Sequence, residues 1–125
     1  DYAPLFGVLL DLVGDKDAVF PQEEYSLQYA SDIVKIVWST AGQLGIPNFK
    51  VQGYGGIIDD HGPLNTVAGI KVIDIIDAEL VGQAAADPRR KYWHSLADTP
   101  EQCSAETLGK VGKVLMHVLF GTKPV

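Results

Sequence analysis

One segment of the chain combines a histidine with neighbours that suit metal binding or proton transfer. His94 follows two large aromatic residues, Tyr92 and Trp93, and lies four residues ahead of the acid Asp98. Histidine is the commonest side-chain ligand for zinc, and a nearby carboxylate often orients its imidazole. A lone histidine in such a setting is more often structural. The hypothesis that His94 belongs to a functional site therefore depends on acidic residues elsewhere in the chain.

The first of these acids is Asp11, which ends an apolar run. An ionised carboxylate at that point is costly unless it is paired, hydrogen-bonded or bound to a metal. In open α/β sheets, ligands bind at the carboxyl ends of the strands, so the position suits a site. The alternative is that Asp11 only caps the turn that follows it.

A second acidic cluster lies in the middle of the chain, where Asp59 and Asp60 precede His61. Adjacent carboxylates can bind a cation, or they can hold one proton between them and act as general acid and base. Pro63 fits the first turn of a helix, so Asp60 or His61 could instead cap that helix. Capping does not account for both acids.

The pattern of apolar residues predicts the elements that must position these side chains. A nearly continuous apolar run over 5–10 and a largely apolar stretch over 70–76 indicate strands, and the first of these is expected to be covered on both faces. An apolar stripe over 23–44 predicts a long helix. Strands that alternate with helices indicate an α/β fold. We also expect a strand over 49–52, a helix over 63–68 and a loop over 78–90. A closing helix is expected over 104–120, with Ser104 as its N-cap and with Leu108 and Leu119 among its buried residues. Asp74 is expected to face solvent or a loop.

Bulk composition excludes several classes of protein. The chain has 125 residues, 46% hydrophobic and 21% charged, as in a soluble globular protein, and we expect one domain over 1–125. A net charge of −6, with no basic cluster beyond 89–91, argues against a nucleic-acid partner. No apolar run reaches the ~18 residues that cross a bilayer, and no signal peptide is visible. The single cysteine, Cys103, cannot form an internal disulfide.

Taken together, these motifs resemble the zinc aminopeptidases and their close relatives, the glutaminyl cyclases. The resemblance implies a three-layer αβα fold with a mixed, mostly parallel sheet flanked by helices and truncated on its N-terminal side. Several linked motifs in a fixed order make the match specific. They are the strand end at 9–14, a long helix, the acidic cluster 59–61, the strand 72–76, the segment 92–95 with Asp98 and Thr99, and a closing helix.

The resemblance assigns roles to individual residues. His94 matches the histidine zinc ligand of the family. Asp11 matches a ligand of the second zinc in two-metal peptidases, or a hydrogen-bonding acid in single-zinc cyclases. Asp59 matches a catalytic acid of the cyclases, since the peptidases more often carry serine or threonine there, and Trp93 is also cyclase-like. The residues matched to the substrate pocket are Trp93, Tyr92, Asp60 and His61.

The same resemblance implies that part of the site is missing. Family members carry, upstream of this region, a histidine with a nearby aspartate, a bridging acid and a Glu-Glu pair that contains the general base. Glu23 and Glu24 do not replace that pair, because they follow the Asp11 strand at the start of a helix. Catalytic zinc takes about three protein ligands and an open position for water. We therefore expect the C-terminal half of a catalytic domain, which is inactive alone and binds zinc weakly or not at all.

Three functions remain open from the sequence. The leading hypothesis is a zinc-dependent aminopeptidase that hydrolyses N-terminal peptide bonds with one or two zinc ions. The alternative enzyme is a glutaminyl cyclase, in which the N-terminal amine attacks the glutamine side-chain amide and forms pyroglutamate. The third is a non-catalytic fragment or assembly module, which could self-associate through an exposed sheet edge. The resemblance alone favours a secreted or periplasmic location.

Overall fold

The described part of the chain alternates strands with helices. The computed structural model describes residues 2–81 and 92–121. None of the helices in these two ranges is long and apolar enough to span a membrane. In chain order the elements are β1 (Gly7–Asp11), β2 (Phe20–Glu23), α1 (Glu24–Gln43), β3 (Phe49–Tyr54), α2 (His61–Thr66), β4 (Val72–Ile76) and α3 (Ala105–Phe120), with 3-10 turns at Ala78–Leu80 and Pro100–Gln102.

The strands pair in parallel within the described ranges. β1 pairs with β4 so that Asp11 lies opposite Ile76, and β2 pairs with β3. β2 also contacts β4, which joins the two pairs. An isolated antiparallel bridge connects Asp15 to Cys103. Because parallel strands end at the same edge of a sheet, the residues that follow β1 and β4 come close together.

The hydrophobic core forms where α1 packs against β3, β4 and α3. Every residue of β4 is buried, as expected for a strand covered on both faces. Trp38 of α1 fills the end of the core, and its indole nitrogen donates to the Phe20 carbonyl oxygen at 3.1 Å. The helix is broken at Ala30, whose φ of −146° and ψ of 45° are not helical. The largest fully buried apolar side chains are Phe20, Ile73, Ile75, Ile76, Leu80, Val34, Val37 and Val114.

Most predicted elements are present, with three corrections. β1 is only half-buried, and Leu10 is 43% exposed, because β4 is the only described strand that pairs with β1. The strand β2 was not predicted, since its four residues include a proline and run directly into α1. In α3 the buried positions include Val111 and Val114, whereas Leu108 and Leu119, predicted to be buried, are exposed. Beyond Val81, the loop predicted over 78–90 falls outside the described residues.

The buried β4 strand gives a direct test of the core. We expect Ile75→Ala to lower the free energy of unfolding by about 2–5 kcal/mol, because Ile75 is fully buried and the truncation leaves a cavity. The matched control is Ile36→Ala, which makes the same chemical change on α1 at a position that is 48% exposed. Denaturant unfolding of both variants measures the difference. Equal losses in the two variants would contradict the described packing of β4.

Candidate active site

A cavity of about 430 Å³ lies at the carboxyl ends of β1 and β4. Asp11 and Ile76, the last residues of these strands, line it. Asp59 enters from the loop between β3 and α2, and Trp93 and His94 enter from the segment that precedes α3. Four side chains predicted to form the site therefore meet in one cavity, although they come from three distant segments of the sequence.

The carboxyl groups of Asp11 and Asp59 lie beside each other at the cavity, within reach of a hydrogen bond. Burial raises the pKa of Asp11, and the charge and hydrogen bond of Asp59 raise it further, against smaller opposing effects from the Leu12 amide and His94. Two carboxylates in contact repel each other when both are ionised, which disfavours the charged form of Asp11. The sequence suggested that Asp59 and Asp60 could share a proton, whereas the structure places Asp59 beside Asp11.

Two residues at this cavity have an unusual backbone conformation. Leu12, which follows Asp11, and His94 both have φ of 53°, in the left-handed region that bulky side chains rarely adopt. Such conformations are retained where the surrounding structure enforces them, and they are enriched at functional sites. The imidazole of His94 stacks on the Trp93 indole, with ring centroids 3.8 Å apart and planes inclined by 16°. The stacked rings of Trp93 and His94 therefore line the cavity together.

Three residues predicted to contact substrate lie outside the cavity. Tyr92 is buried, and its hydroxyl donates to the Asp15 carboxylate, which anchors the segment that carries Trp93 and His94. Asp60 is exposed at the start of α2 and makes no side-chain capping hydrogen bond. His61 is fully buried and cannot reach a ligand in the cavity. Among the described residues, the lining of this cavity therefore does not include Tyr92, Asp60 or His61, and their contact with substrate stays a prediction.

Close enough to Asp59 for their charges to interact lies a buried polar cluster that the sequence analysis missed. Glu23, Ser26, His61 and Asp74 are all fully buried. His61 Nε2 donates to Glu23 Oε1 at 2.8 Å, and His61 Nδ1 lies 3.8 Å from Asp74 Oδ2. The prediction that Asp74 faces solvent or a loop is wrong, because β4 is covered on both faces. The only sequence signal for a buried acid was its position within an apolar strand.

The acids of this cluster have opposite pKa shifts. Burial would raise the pKa of Glu23, but hydrogen bonds from His61 and from the Ile57 and Tyr25 amides outweigh it and lower the pKa to about 2. Burial also opposes the charged form of His61, yet Glu23 raises its pKa overall. Burial raises the pKa of Asp74 to about 7, and none of the described residues hydrogen-bonds to its carboxylate oxygens.

The raised pKa of Asp74 predicts a pH dependence of stability. The folded protein retains the Asp74 proton up to about pH 7, whereas the unfolded chain releases it near the ordinary value of 3.8. The folded state thus binds more protons in this window, and its stability falls as pH rises through it. We expect Asp74→Asn to reduce that fall, as measured by urea unfolding between pH 4 and 8. The exposed Asp17→Asn is the control, and equal slopes in the wild type and Asp74→Asn would contradict the prediction.

The described residues do not complete a zinc site by themselves. Within 2–81 and 92–121, no group of three or more His, Cys, Asp or Glu side chains could hold a metal ion. His94 and Asp11 are the two predicted ligands in the cavity, and Asp11 is engaged by Asp59. Catalytic zinc takes three protein ligands. The donor set of the described residues therefore falls short of that number.

Comparisons with known proteins agree on the family. The model of peptidase family M28 matches residues 4–119. A glutaminyl cyclase from Tannerella forsythia is 36% identical, with a TM-score of 0.87 over 98% of this chain and 42% of its own. A leucine aminopeptidase precursor from Bacteroides thetaiotaomicron is 36% identical, with a TM-score of 0.83 over 98% of this chain and 39% of its own. A Zn-dependent exopeptidase from Parabacteroides distasonis is 35% identical, with a TM-score of 0.80 over 94% of this chain and 39% of its own. No curated protein sequence matches the chain.

The parallel strands and their flanking helices define the α/β fold that Zn-dependent exopeptidases share with glutaminyl cyclases. The chain belongs to peptidase family M28. The predicted fold class and the predicted resemblance are both confirmed. The chain spans about two fifths of the length of the solved relatives that it matches.

Proposed function

We propose that this chain forms the C-terminal part of the catalytic domain of a zinc-dependent enzyme that acts on the N-termini of peptides. The observation that carries the proposal is the convergence of Asp11, Asp59, Trp93 and His94 on one cavity at the strand ends. The domain formed by this chain together with the remaining length that the solved relatives contain is called the complete domain below. The net charge of −6 is consistent with a peptide rather than a nucleic-acid substrate.

The geometry supports cyclisation of N-terminal glutamine best among the reactions of such enzymes. Asp59 and Trp93, which the sequence resemblance matches to the glutaminyl cyclases, both line the cavity beside Asp11. Neighbouring carboxyl groups can accept and return a proton, which suits a reaction that moves protons between nitrogen atoms. Trp93 adds an aromatic wall beside the pair, against which the aliphatic part of a glutamine side chain can pack.

In this reaction the two carboxyl groups have a defined task. The N-terminal amine attacks the side-chain amide carbon of the glutamine, a carbon–nitrogen bond forms to close the ring, and ammonia leaves. The attacking nitrogen must lose a proton, and the departing nitrogen must gain one. Asp59 faces the cavity and can accept the first proton and return it to the leaving group, while Asp11 stabilises either protonation state through the shared hydrogen bond.

Zinc enters the proposal through His94. Its imidazole lines the cavity, and its left-handed backbone holds the ring in place beside Trp93. Solved relatives of this chain are described as Zn-dependent exopeptidases. We assign His94 as one zinc ligand of the complete domain, with the remaining ligands supplied by residues outside the described ranges.

The second candidate is an aminopeptidase, which would remove the first residue of a peptide. It is favoured by the family model, which is a peptidase family, and by the likeness to a leucine aminopeptidase precursor. In that reaction Asp11 would ligate a second zinc ion and would have to release its hydrogen bond to Asp59. The position of Asp11 at the end of β1 is compatible with either role.

Mass spectrometry of the products separates the two candidates. The complete domain with zinc is incubated with one peptide that begins with glutamine and a matched peptide that begins with leucine. Loss of ammonia from the glutamine peptide, with its peptide bonds intact, supports the cyclase. Release of the first residue from either peptide supports the aminopeptidase. If both peptides remain unchanged, both candidate functions are wrong.

A further inference from the structure

The carboxylate of Glu23 makes more hydrogen bonds than a helix cap needs. It is fully buried at the junction of β2 and α1. As a cap of α1 it accepts from the Tyr25 amide and from both the amide and the hydroxyl of Ser26, each at 2.8 Å. The same two oxygens also accept hydrogen bonds from a different part of the chain, more than thirty residues away.

These distant bonds reach both ends of the loop that carries Asp59. Glu23 Oε2 accepts from the Ile57 amide at 3.0 Å, two residues before Asp59. Glu23 Oε1 accepts from His61 Nε2 at 2.8 Å, two residues after it. One carboxylate therefore holds the two sides of a short loop whose middle residue faces the cavity.

Neighbouring contacts hold the start of the same loop against α1. Glu24 Oε2 accepts from the Gly56 amide at 3.1 Å. The Gly56 backbone lies so close to the Tyr25 ring that an added Cβ would come within 2.5 Å of it. The loop is thus fixed to the first turn of α1 by hydrogen bonds and by close packing. Of these contacts, the two made by Glu23 lie on opposite sides of Asp59 in the sequence.

We propose that Glu23 is a positioning residue, which fixes the 57–61 loop and thereby holds the Asp59 carboxyl group against Asp11. The proposal rests on the proposed function, in which Asp59 transfers protons in the cavity. An ionised carboxylate only accepts hydrogen bonds, so the amide of Ile57 and the ring of His61 can both be satisfied at once. Displacements of about 1 Å at a reacting group can reduce turnover by about 100-fold, so the two hydrogen bonds from the loop to Glu23 can affect the rate strongly.

Two substitutions separate positioning from capping. Aspartate is a favoured N-cap residue, so Glu23→Asp should keep the cap of α1, but its side chain is one methylene shorter and cannot reach Ile57 and His61 as well. Glu23→Gln keeps the length but replaces one accepting oxygen with a donor. The matched control is Asp32→Asn on the surface of α1, where the carboxylate is 56% exposed and pairs with Lys71.

The test combines amide hydrogen exchange with steady-state kinetics in the complete domain, at a temperature at which circular dichroism shows each variant to be folded. We expect exchange at Ile57 to accelerate by about tenfold or more in both Glu23 variants. We expect kcat to fall by roughly 10- to 100-fold while KM changes little, because orientation rather than binding is lost. Asp32→Asn should change neither quantity.

The outcomes distinguish this proposal from the proposed function. Unchanged exchange at Ile57 in Glu23→Asp, or faster exchange with an unchanged kcat, would overturn the positioning role while leaving the function intact. If the wild-type complete domain neither cyclises nor cleaves peptides, the proposed function fails. In that case the exchange rate of the Ile57 amide in the same samples still shows whether Glu23 fixes the loop.

Discussion

Replacing Asp59 with asparagine in the complete domain should reduce kcat for the conversion of an N-terminal glutamine peptide by roughly 10²–10⁴-fold. Asparagine has nearly the same shape as aspartate, but it can neither accept nor return a proton at neutral pH. Asp59 lines the cavity beside Asp11, where its carboxyl group can meet the reacting nitrogen atoms of the substrate. Ammonia release, followed continuously, measures the change, and KM should vary much less than kcat.

The adjacent acid provides the matched comparison for this variant. Asp60 is exposed and does not line the cavity, so Asp60→Asn should retain most of the wild-type turnover. A loss as large as that of Asp59→Asn would restore the sequence prediction that Asp60 contacts substrate. A nearly unchanged kcat in Asp59→Asn would remove Asp59 from the chemistry and leave the cyclase without its proton carrier.

Replacing His94 with alanine should weaken zinc binding by the complete domain by about 100-fold or more. Loss of a residue that only supports a zinc ligand already costs about 10- to 100-fold in affinity, and loss of a ligand costs at least as much. Competition with a chromophoric chelator measures the affinity directly and does not depend on turnover. The backbone of His94, with φ of 53°, is in the left-handed region. Residues are retained in that conformation where the surrounding structure enforces it, and they are enriched at functional sites.

Another histidine of the chain serves as the control for this experiment. His117 lies in the last turn of α3, with its Nδ1 within 2.9 Å of the Lys113 carbonyl oxygen, far along the chain from the cavity residues. His117→Ala should leave the zinc affinity unchanged. An unchanged affinity in His94→Ala, with the protein still folded, would exclude His94 as a ligand.

The cavity was predictable because its residues follow recognisable breaks in the sequence. Asp11 ends an apolar strand, and parallel strands place their carboxyl ends at one edge of the sheet. Asp59 lies in the loop between β3 and α2, and His94 lies in the irregular segment that precedes α3. These signals are local, so the sequence could place each residue at a loop or a strand end. That Asp59 lies beside Asp11 depends on how the 57–61 loop is held against the start of α1, which no local pattern records.

The buried cluster could not be predicted for the same reason. Glu23 and His61 are 38 residues apart, and neither has a neighbour in sequence that indicates burial. Asp74 appears as a polar interruption of a strand, and such a residue faces solvent whenever one side of the strand is exposed. Only the tertiary packing, with α1 and α2 both against β4, shows that Asp74 lies inside. The prediction failed because burial on both faces of β4 is a property of the assembled fold.

The most direct test of the account is a crystal structure of the complete domain with zinc and an unreactive peptide that begins with a glutamine analogue. Anomalous scattering at the zinc absorption edge locates the metal independently of the protein density. We predict a zinc peak bonded to the His94 imidazole, with the N-terminal amine of the peptide beside the Asp59 carboxyl group and its side chain against Trp93. Zinc bound elsewhere, or a peptide seated outside the cavity at the ends of β1 and β4, would contradict the assignment of this site.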